Sequence, residues 1–363
     1  MSSSKEFAFR VAAKCMPASV NRRLEQDCLL PYYHMVSDEH VPHVSPLYRF
    51  RTVKEFKADV DCLLRSRKPV SVAEFIDSVQ NTGAPPPRAC LLSFDDGFRE
   101  MHNIVAPILQ AKGAPAIFFL TSATVDNHAL CHHQKISLLL DKAQREHARF
   151  PLVKIKQSLA EGGITGVENP NDLTKIPWKY RTTLDQLGTI CGVDFATYAK
   201  EHQPHLTSQQ VKSLLDRGFE VGSHSVDHPL YLDLSLAEQL SQTRESTAFL
   251  AENFGITRRF FAFPHTDRGV SREFFERVAS EAGVEATFGT SGPAQDCCAR
   301  SFQRFSMEKS DLPAEAILAR QNLRFLKLQL TGQTVLQRPA FDGSLSKAVP
   351  SVTQRESLAS VPN

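Results

Sequence analysis

The chain has 363 residues, 42% of them apolar and 23% charged, with 42 Lys plus Arg against 40 Asp plus Glu. That length and balance suit one large α/β domain with additions, or two ordinary domains, with enough apolar material for a substantial core. The near-cancelling charge leaves no basic stripe for nucleic acid and no polybasic run for an anionic membrane surface.

Residues 1–27 read as a lead-in, and MSSSKEFAFRVAAKCMPASV has no continuous apolar stretch of signal-peptide length. No segment approaches the roughly 18 to 20 apolar residues of a membrane span, so a cytoplasmic protein is expected. Cys28 to Val36 is apolar and aromatic and predicts a first strand. Val53, Phe56, Val60, Leu63 and Leu64 follow at helical spacing. PVSVAEFIDSV predicts a short strand and a second helix, and the prolines at 85–87 a stiff connector.

From there strand and helix alternate. ACLLSF (89–94) and AIFFL (116–120) are near-continuous apolar runs, the pattern of buried parallel strands. Between them Ile104, Ile108 and Ala111 share a helical face that ends at Gly113. Residues 130–205 break the rhythm, carry the sole tryptophan (Trp178), and read as a helical insertion on one loop. The alternation resumes with a helix through Val211, Leu214 and Leu215, a strand at 219–224 and a helix over 235–254. A strand at 260–264, a helix near 271–282, the strand ATFGT, a strand at 301–307 and a helix over 313–326 complete it. Residues 331–363 lack periodicity and read as a disordered tail. Repeated βα units predict a parallel α/β architecture, barrel or open sheet, with its chemistry at the carboxyl ends of the strands.

Eight cysteines (Cys15, Cys28, Cys62, Cys90, Cys131, Cys191, Cys297 and Cys298) are scattered among apolar residues, and read as reduced thiols rather than a disulfide framework.

Two motifs stand directly after apolar strands. Ser93-Phe94-Asp95-Asp96-Gly97 puts two carboxylates at a strand end, where adjacent side chains point in different directions and can divide the work. Alone, such a sequence is also an ordinary βα turn. His224-Ser225-Val226-Asp227-His228 offers two imidazoles that can converge on one metal, with Pro229 placing them in a loop or first helical turn. Alone, these are also ordinary surface or capping histidines. Taken together, one carboxylate and two imidazoles make a three-ligand set with an open position for water. A second carboxylate beside it completes a hydrolytic apparatus.

The order Ser93-Phe94-Asp95-Asp96-Gly97, Gly222-Ser223-His224-Ser225-Val226-Asp227-His228 and Phe261-Ala262-Phe263-Pro264-His265 resembles the polysaccharide deacetylase (NodB-homology) family of carbohydrate esterases. Tyr33-His34-Met35-Val36 resembles the opening Tyr-His-x-Val strand of members that act on bacterial surface polysaccharides. The likeness spans roughly 28–130 and 205–310. It implies a distorted (β/α) barrel of about seven parallel strands. It also implies a divalent ion, zinc with cobalt, nickel or manganese as alternatives, held by Asp96, His224 and His228. Asp95 is then the general base, the substrate an N-acetylated sugar or polysaccharide, and the reaction hydrolysis of its acetamide.

The chain departs from the family in two places. The third motif, commonly Arg-x-Pro-Tyr, stands here as Ala262-Phe263-Pro264-His265, so its arginine is missing; Arg304 and Arg300 are candidates for that charge. The resemblance implies that the backbone N–H of His265 faces the developing oxyanion. The late Leu-x-His motif, which carries the general acid, has no counterpart; His265 and His34 are candidates, and Glu308 is placed to reach the site. His128, Cys131, His132 and His133 form a further cluster that could take a second metal.

Three other readings remain. A glycoside hydrolase would need carboxylates roughly 5 to 9.5 Å apart, and would leave the two histidines unexplained. A carbohydrate-binding relic would have no use for Asp95. A deacylase of a non-sugar amide fits as well, because pocket contacts, not motifs, decide the substrate.

Overall fold

The computed structural model describes residues 28–340 apart from Lys309. The lead-in, Cys15, Lys309 and residues 341–363 lie outside the described residues.

The apolar runs form a parallel barrel. Its strands are β1 (Pro31–Tyr33), β2 (Leu92–Phe94), β3 (Ala116–Leu120), β4 (Glu220–Ser223), β5 (Arg259–Ala262), β6 (Val284–Gly289), β7 (Ser301–Gln303) and β8 (Phe305–Ser306). Their order is β7-β6-β5-β4-β3-β2-β1-β8. β7 and β8 are halves of one run, residues 301–306, interrupted only at Arg304. The first half pairs with β6 and the second with β1, so the two edges of the sheet belong to the same stretch of chain and the ring closes. This is the distorted barrel with seven strand positions expected from the sequence. Closure removes the exposed edges an open sheet would leave.

The barrel interior is filled by Ile117, Phe119, Phe260, Ala262, Ala286 and Phe288, joined by Val70, Val72, Phe75 and Ile76. The last four belong to or adjoin α2 (Val72–Thr82), which is capped by Ser71. Outside, α1 (Val53–Leu64) starts at a Thr52–Glu55 capping box and buries Phe56, Val60 and Leu63. The strands are buried on both faces, which explains why they read as unbroken apolar runs rather than alternating ones.

Between β3 and β4 the chain leaves the barrel. Helices α3 (His132–Glu146), α4 (Leu152–Glu161), α5 (Thr183–Cys191) and α6 (Phe195–His202) enclose a separate apolar core that includes Leu139, Ile155, Leu173, Leu184 and Leu187. The barrel rhythm then resumes with α7 (Ser208–Asp216), α8 (Leu236–Phe254), α9 (Arg272–Ala282) and α10 (Ala314–Thr331).

Residues 332–340, expected within a disordered tail, pack on the barrel. Val335–Leu336 pairs in parallel with Gln295–Asp296. Arg338, fully buried, bonds the carboxylates of both Asp267 and Asp296. A fork-shaped cation between two buried carboxylates anchors a segment that has no apolar periodicity of its own.

The seven described cysteines are free. The adjacent Cys297 and Cys298 have sulfurs 4.0 Å apart, in hydrogen-bond contact and not joined by a disulfide. Among the described residues no helix is long and apolar enough to cross a membrane.

Candidate active site

The loops after β1, β2, β4, β5 and β8 meet at the carboxyl end of the barrel. Asp96 follows β2 with φ +71°, and Gly97 follows at φ +70°. A Cβ on Gly97 would stand 2.9 Å from a Leu120 methyl, so the turn closes tightly on β3. Ser225, His228 and His265 also adopt positive φ. Non-glycine residues held in this region mark backbone over-determined by its surroundings, and four of the ten among the described residues fall on the motifs.

One donor atom from each of Asp96, His224 and His228 lies within 4.8 Å of the others, and all three residues are buried. Among the described residues the only other such group is Asp296–Cys297–Cys298, whose carboxylate Arg338 already occupies. The orientation of His224 is set by its Nδ1, 2.9 Å from the carbonyl of Ala262. Donation there leaves the lone pair on Nε2, which faces Asp96 Oδ1 at 3.4 Å. His228 Nε2 faces the same oxygen at 3.1 Å, held by its backbone N–H donating to Ser225 Oγ. Asp96 Oδ1 is buried and makes no hydrogen bond in the described residues. Acceptors converging on a buried, unsatisfied carboxylate oxygen are the chemistry of a cation site. Burial pushes the Asp96 carboxyl up, but His228 and His224 outweigh it and hold it well below the usual range.

Asp95 has a different environment. Arg304, fully buried, reaches it with a fork: Nη1 to Oδ1 at 2.7 Å and Nη2 to Oδ2 at 2.9 Å. The same guanidinium bonds Ser93 Oγ at 3.1 Å and lies 4.8 Å from the Tyr32 ring centroid. Burial alone would raise the Asp95 carboxyl; Arg304, with His224 and His34, more than offsets it, and the net shift is downward. Of the two candidates for the missing third-motif charge, Arg304 is the one that meets Asp95; Arg300 is exposed.

His34 and Glu308 form a second pair. His34 Nδ1 is 2.7 Å from Glu308 Oε2, and the backbone N–H groups of His34 and Met35 donate to the same carboxylate at 2.8 and 2.9 Å. Burial opposes a charge on the imidazole. The hydrogen bond to Glu308 and its charge, with help from Asp96 and Asp95, carry the pKa up to about 9. That shift favours the protonated imidazole at neutral pH.

His265 stands on the far side of the group, against His228. It is exposed, and its ring meets that of His228 edge-on at 4.5 Å between centroids. Its ring makes no hydrogen bond in the described residues, and neither does its backbone N–H. Pro264 is buried beneath it, its carbonyl taken by Thr266 N at 2.7 Å.

The histidines at the start of the insertion divide. His128 is exposed, and the set with Cys131, His132 and His133 does not gather its donors into a metal group. His133 instead packs its ring on His228, 4.4 Å between centroids. Arg181 of the insertion, stacked on Trp178 at 3.8 Å, is 3.5 Å from Asp227 in the second motif. The insertion thus forms one wall of the site.

Sequence reasoning missed the place of His133 and left Arg304 and Glu308 as bare candidates. One signal was available: an arginine inside the apolar strand run Ser301–Met307 can be buried only against an acid.

The sequence profile of the family described as polysaccharide deacetylase matches residues 82–287. No curated protein matches the chain. Among solved structures, the Streptococcus pyogenes deacetylase PplD in complex with acetate is similar at a TM-score of 0.51 and 13% identity, over 81% of this chain and 98% of that one. IcaB from Ammonifex degensii is similar at a TM-score of 0.50 and 17% identity, over 82% and 98%. At such identities the two structures speak for the fold. The family match spans more than half of the chain and includes both motifs, and the protein belongs to the polysaccharide deacetylase family.

Proposed function

We propose that this protein hydrolyses the acetamide of an N-acetylated amino sugar, alone or within a glycan, with a divalent ion, zinc first among candidates, held by Asp96, His224 and His228. The observation that carries the reading is the convergence of two buried imidazole nitrogens, from His224 and His228, on the buried Asp96 Oδ1, with the Arg304-paired carboxylate of Asp95 and the Glu308-bonded imidazole of His34 beside them. An ion there would polarise the acetamido carbonyl and acidify a water.

The rest of the chemistry belongs to the side chains. Asp95, kept ionised and fixed in both rotation and direction by Arg304, takes the proton of the attacking water. The His265 N–H supports the developing oxyanion. His34, protonated and held by Glu308, passes its proton to the departing amine; this favours His34 over His265 as general acid. A binding relic would have no need of two buried, oppositely tuned acid–base pairs, so their presence speaks against that alternative.

Metal content of wild type beside His228→Ala tests the reading, together with acetate release from N-acetylglucosamine oligomers. The expectation is about one equivalent of metal in wild type, lost in the variant with activity. A wild-type protein that takes up no divalent ion, or that releases no acetate when loaded, would sink it.

A further inference from the structure

Tyr48 lies on the loop that follows β1 and leads to α1. Its ring packs against Met35, Val41, Val44 and Phe98, an apolar cluster beside the first motif. It also tilts at 52° against His34, 5.4 Å between centroids. Its phenolic oxygen is buried and has no hydrogen-bond partner in the described residues. The carboxylates whose charge acts on it are, in falling order, Asp96, Glu308 and Asp95. The ring thus stands beside His34, with a buried, unpartnered hydroxyl next to the loop of the first motif.

None of those carboxylates accepts its proton. Both oxygens of Asp95 receive the Arg304 fork. Both oxygens of Glu308 are bonded by His34 and Met35. Asp96 Oδ1 faces two imidazole nitrogens. An O–H buried without an acceptor costs roughly 1–3 kcal/mol. Phenylalanine would pack the same cluster without that cost, so packing alone does not account for the hydroxyl.

We propose that Tyr48 is a further catalytic residue, whose O–H donates to the acetamido oxygen of the substrate as negative charge gathers there. The assignment rests on the deacetylase reading above. In this chain His265 stands where the family's third motif has tyrosine, and Tyr48 supplies a side-chain donor from the opposite side of the mouth. Such a donor strengthens as the carbonyl becomes an oxyanion, so it acts on kcat more than on KM.

The test is Tyr48→Phe, read in two ways. On N-acetylglucosamine oligomers, kcat should fall by about 10²-fold with KM within about twofold. Acetate, whose carboxylate presents oxygens to the same donors, should bind the zinc-loaded variant about tenfold more weakly by calorimetry. The melting temperature should hold or rise. Unchanged kcat with unchanged acetate affinity would overturn the proposal. So would a loss of activity that follows a lowered melting temperature while acetate affinity is intact. If wild type released no acetate from any sugar, the deacetylase reading would fall, and acetate affinity alone would still decide the role of Tyr48 as a donor.

Discussion

Glu308→Gln should move the alkaline limb of the pH–rate profile. The carboxylate is buried and holds the His34 imidazole at about 9. At pH 8 that leaves about nine-tenths of His34 protonated; at the ordinary imidazole pKa of about 6.5 only about 3% would be. The variant should therefore lose about 30-fold in kcat at pH 8, and less than about twofold at pH 6. Glutamine still offers an oxygen to the backbone N–H groups, so the loop need not collapse. A cation beside Asp96 would lower both limbs together, and the separation between them is the quantity to read. Stability gives a second check, with the sign fixed by linkage. The folded pKa is raised, so the stabilisation is fully present below about 6.5 and lost as pH rises through about 9, on the order of 3 kcal/mol in all. Wild type should lose melting temperature across that window and the variant should not. Acetate release measured from pH 6 to 10 decides the matter: coincident alkaline limbs would remove His34 from the role of general acid.

Asp95→Asn should reduce turnover by about 10²- to 10⁴-fold and leave metal content at the wild-type level; elemental analysis beside the acetate assay checks both, and a variant that loses its metal would mean Asp95 is a ligand. Arg304→Met leaves a buried carboxylate unpaired and should cost about 3–5 kcal/mol in a denaturant titration, with Arg304→Lys recovering only part because a point charge cannot reproduce the fork. It should also raise the acidic limb of the rate profile, since Arg304 is what holds Asp95 down; an unmoved limb would contradict that. His133→Ala removes the ring packed on His228 and should weaken metal affinity by roughly tenfold, with His133→Phe restoring most of it. Equal affinity in all three proteins would show that the insertion does not support the ligand set.

What the sequence made legible, and what it left dark, follows from the range of the interactions. The barrel strands announce themselves because a parallel sheet covered on both faces must be apolar at every position, as in ACLLSF and AIFFL. Asp95, Asp96, His224 and His228 announce themselves because polar residues directly after such strands need a reason to be there. The tail misled because its anchor is a single arginine. Arg338 is buried between Asp267 and Asp296 by charge rather than by pattern, and periodicity is blind to that. The acid–base pairs were dark for a related cause. Arg304 is 209 residues from Asp95, and Glu308 is 274 from His34. Ring closure brings them together: the run that contains Arg304 pairs with β1, and β1 pairs with β2, whose end carries Asp95. A side chain at the break between β7 and β8 therefore points across the barrel mouth at the strand next but one. The end of β5 carries Ala262, and the guanidinium that meets Asp95 comes instead from the β7–β8 break, two strands further round the ring. Ala262 keeps a part in the site through its carbonyl, which fixes His224. A base needs a guanidinium in a given place, not on a given strand, and a closed barrel offers that place from more than one of its strands.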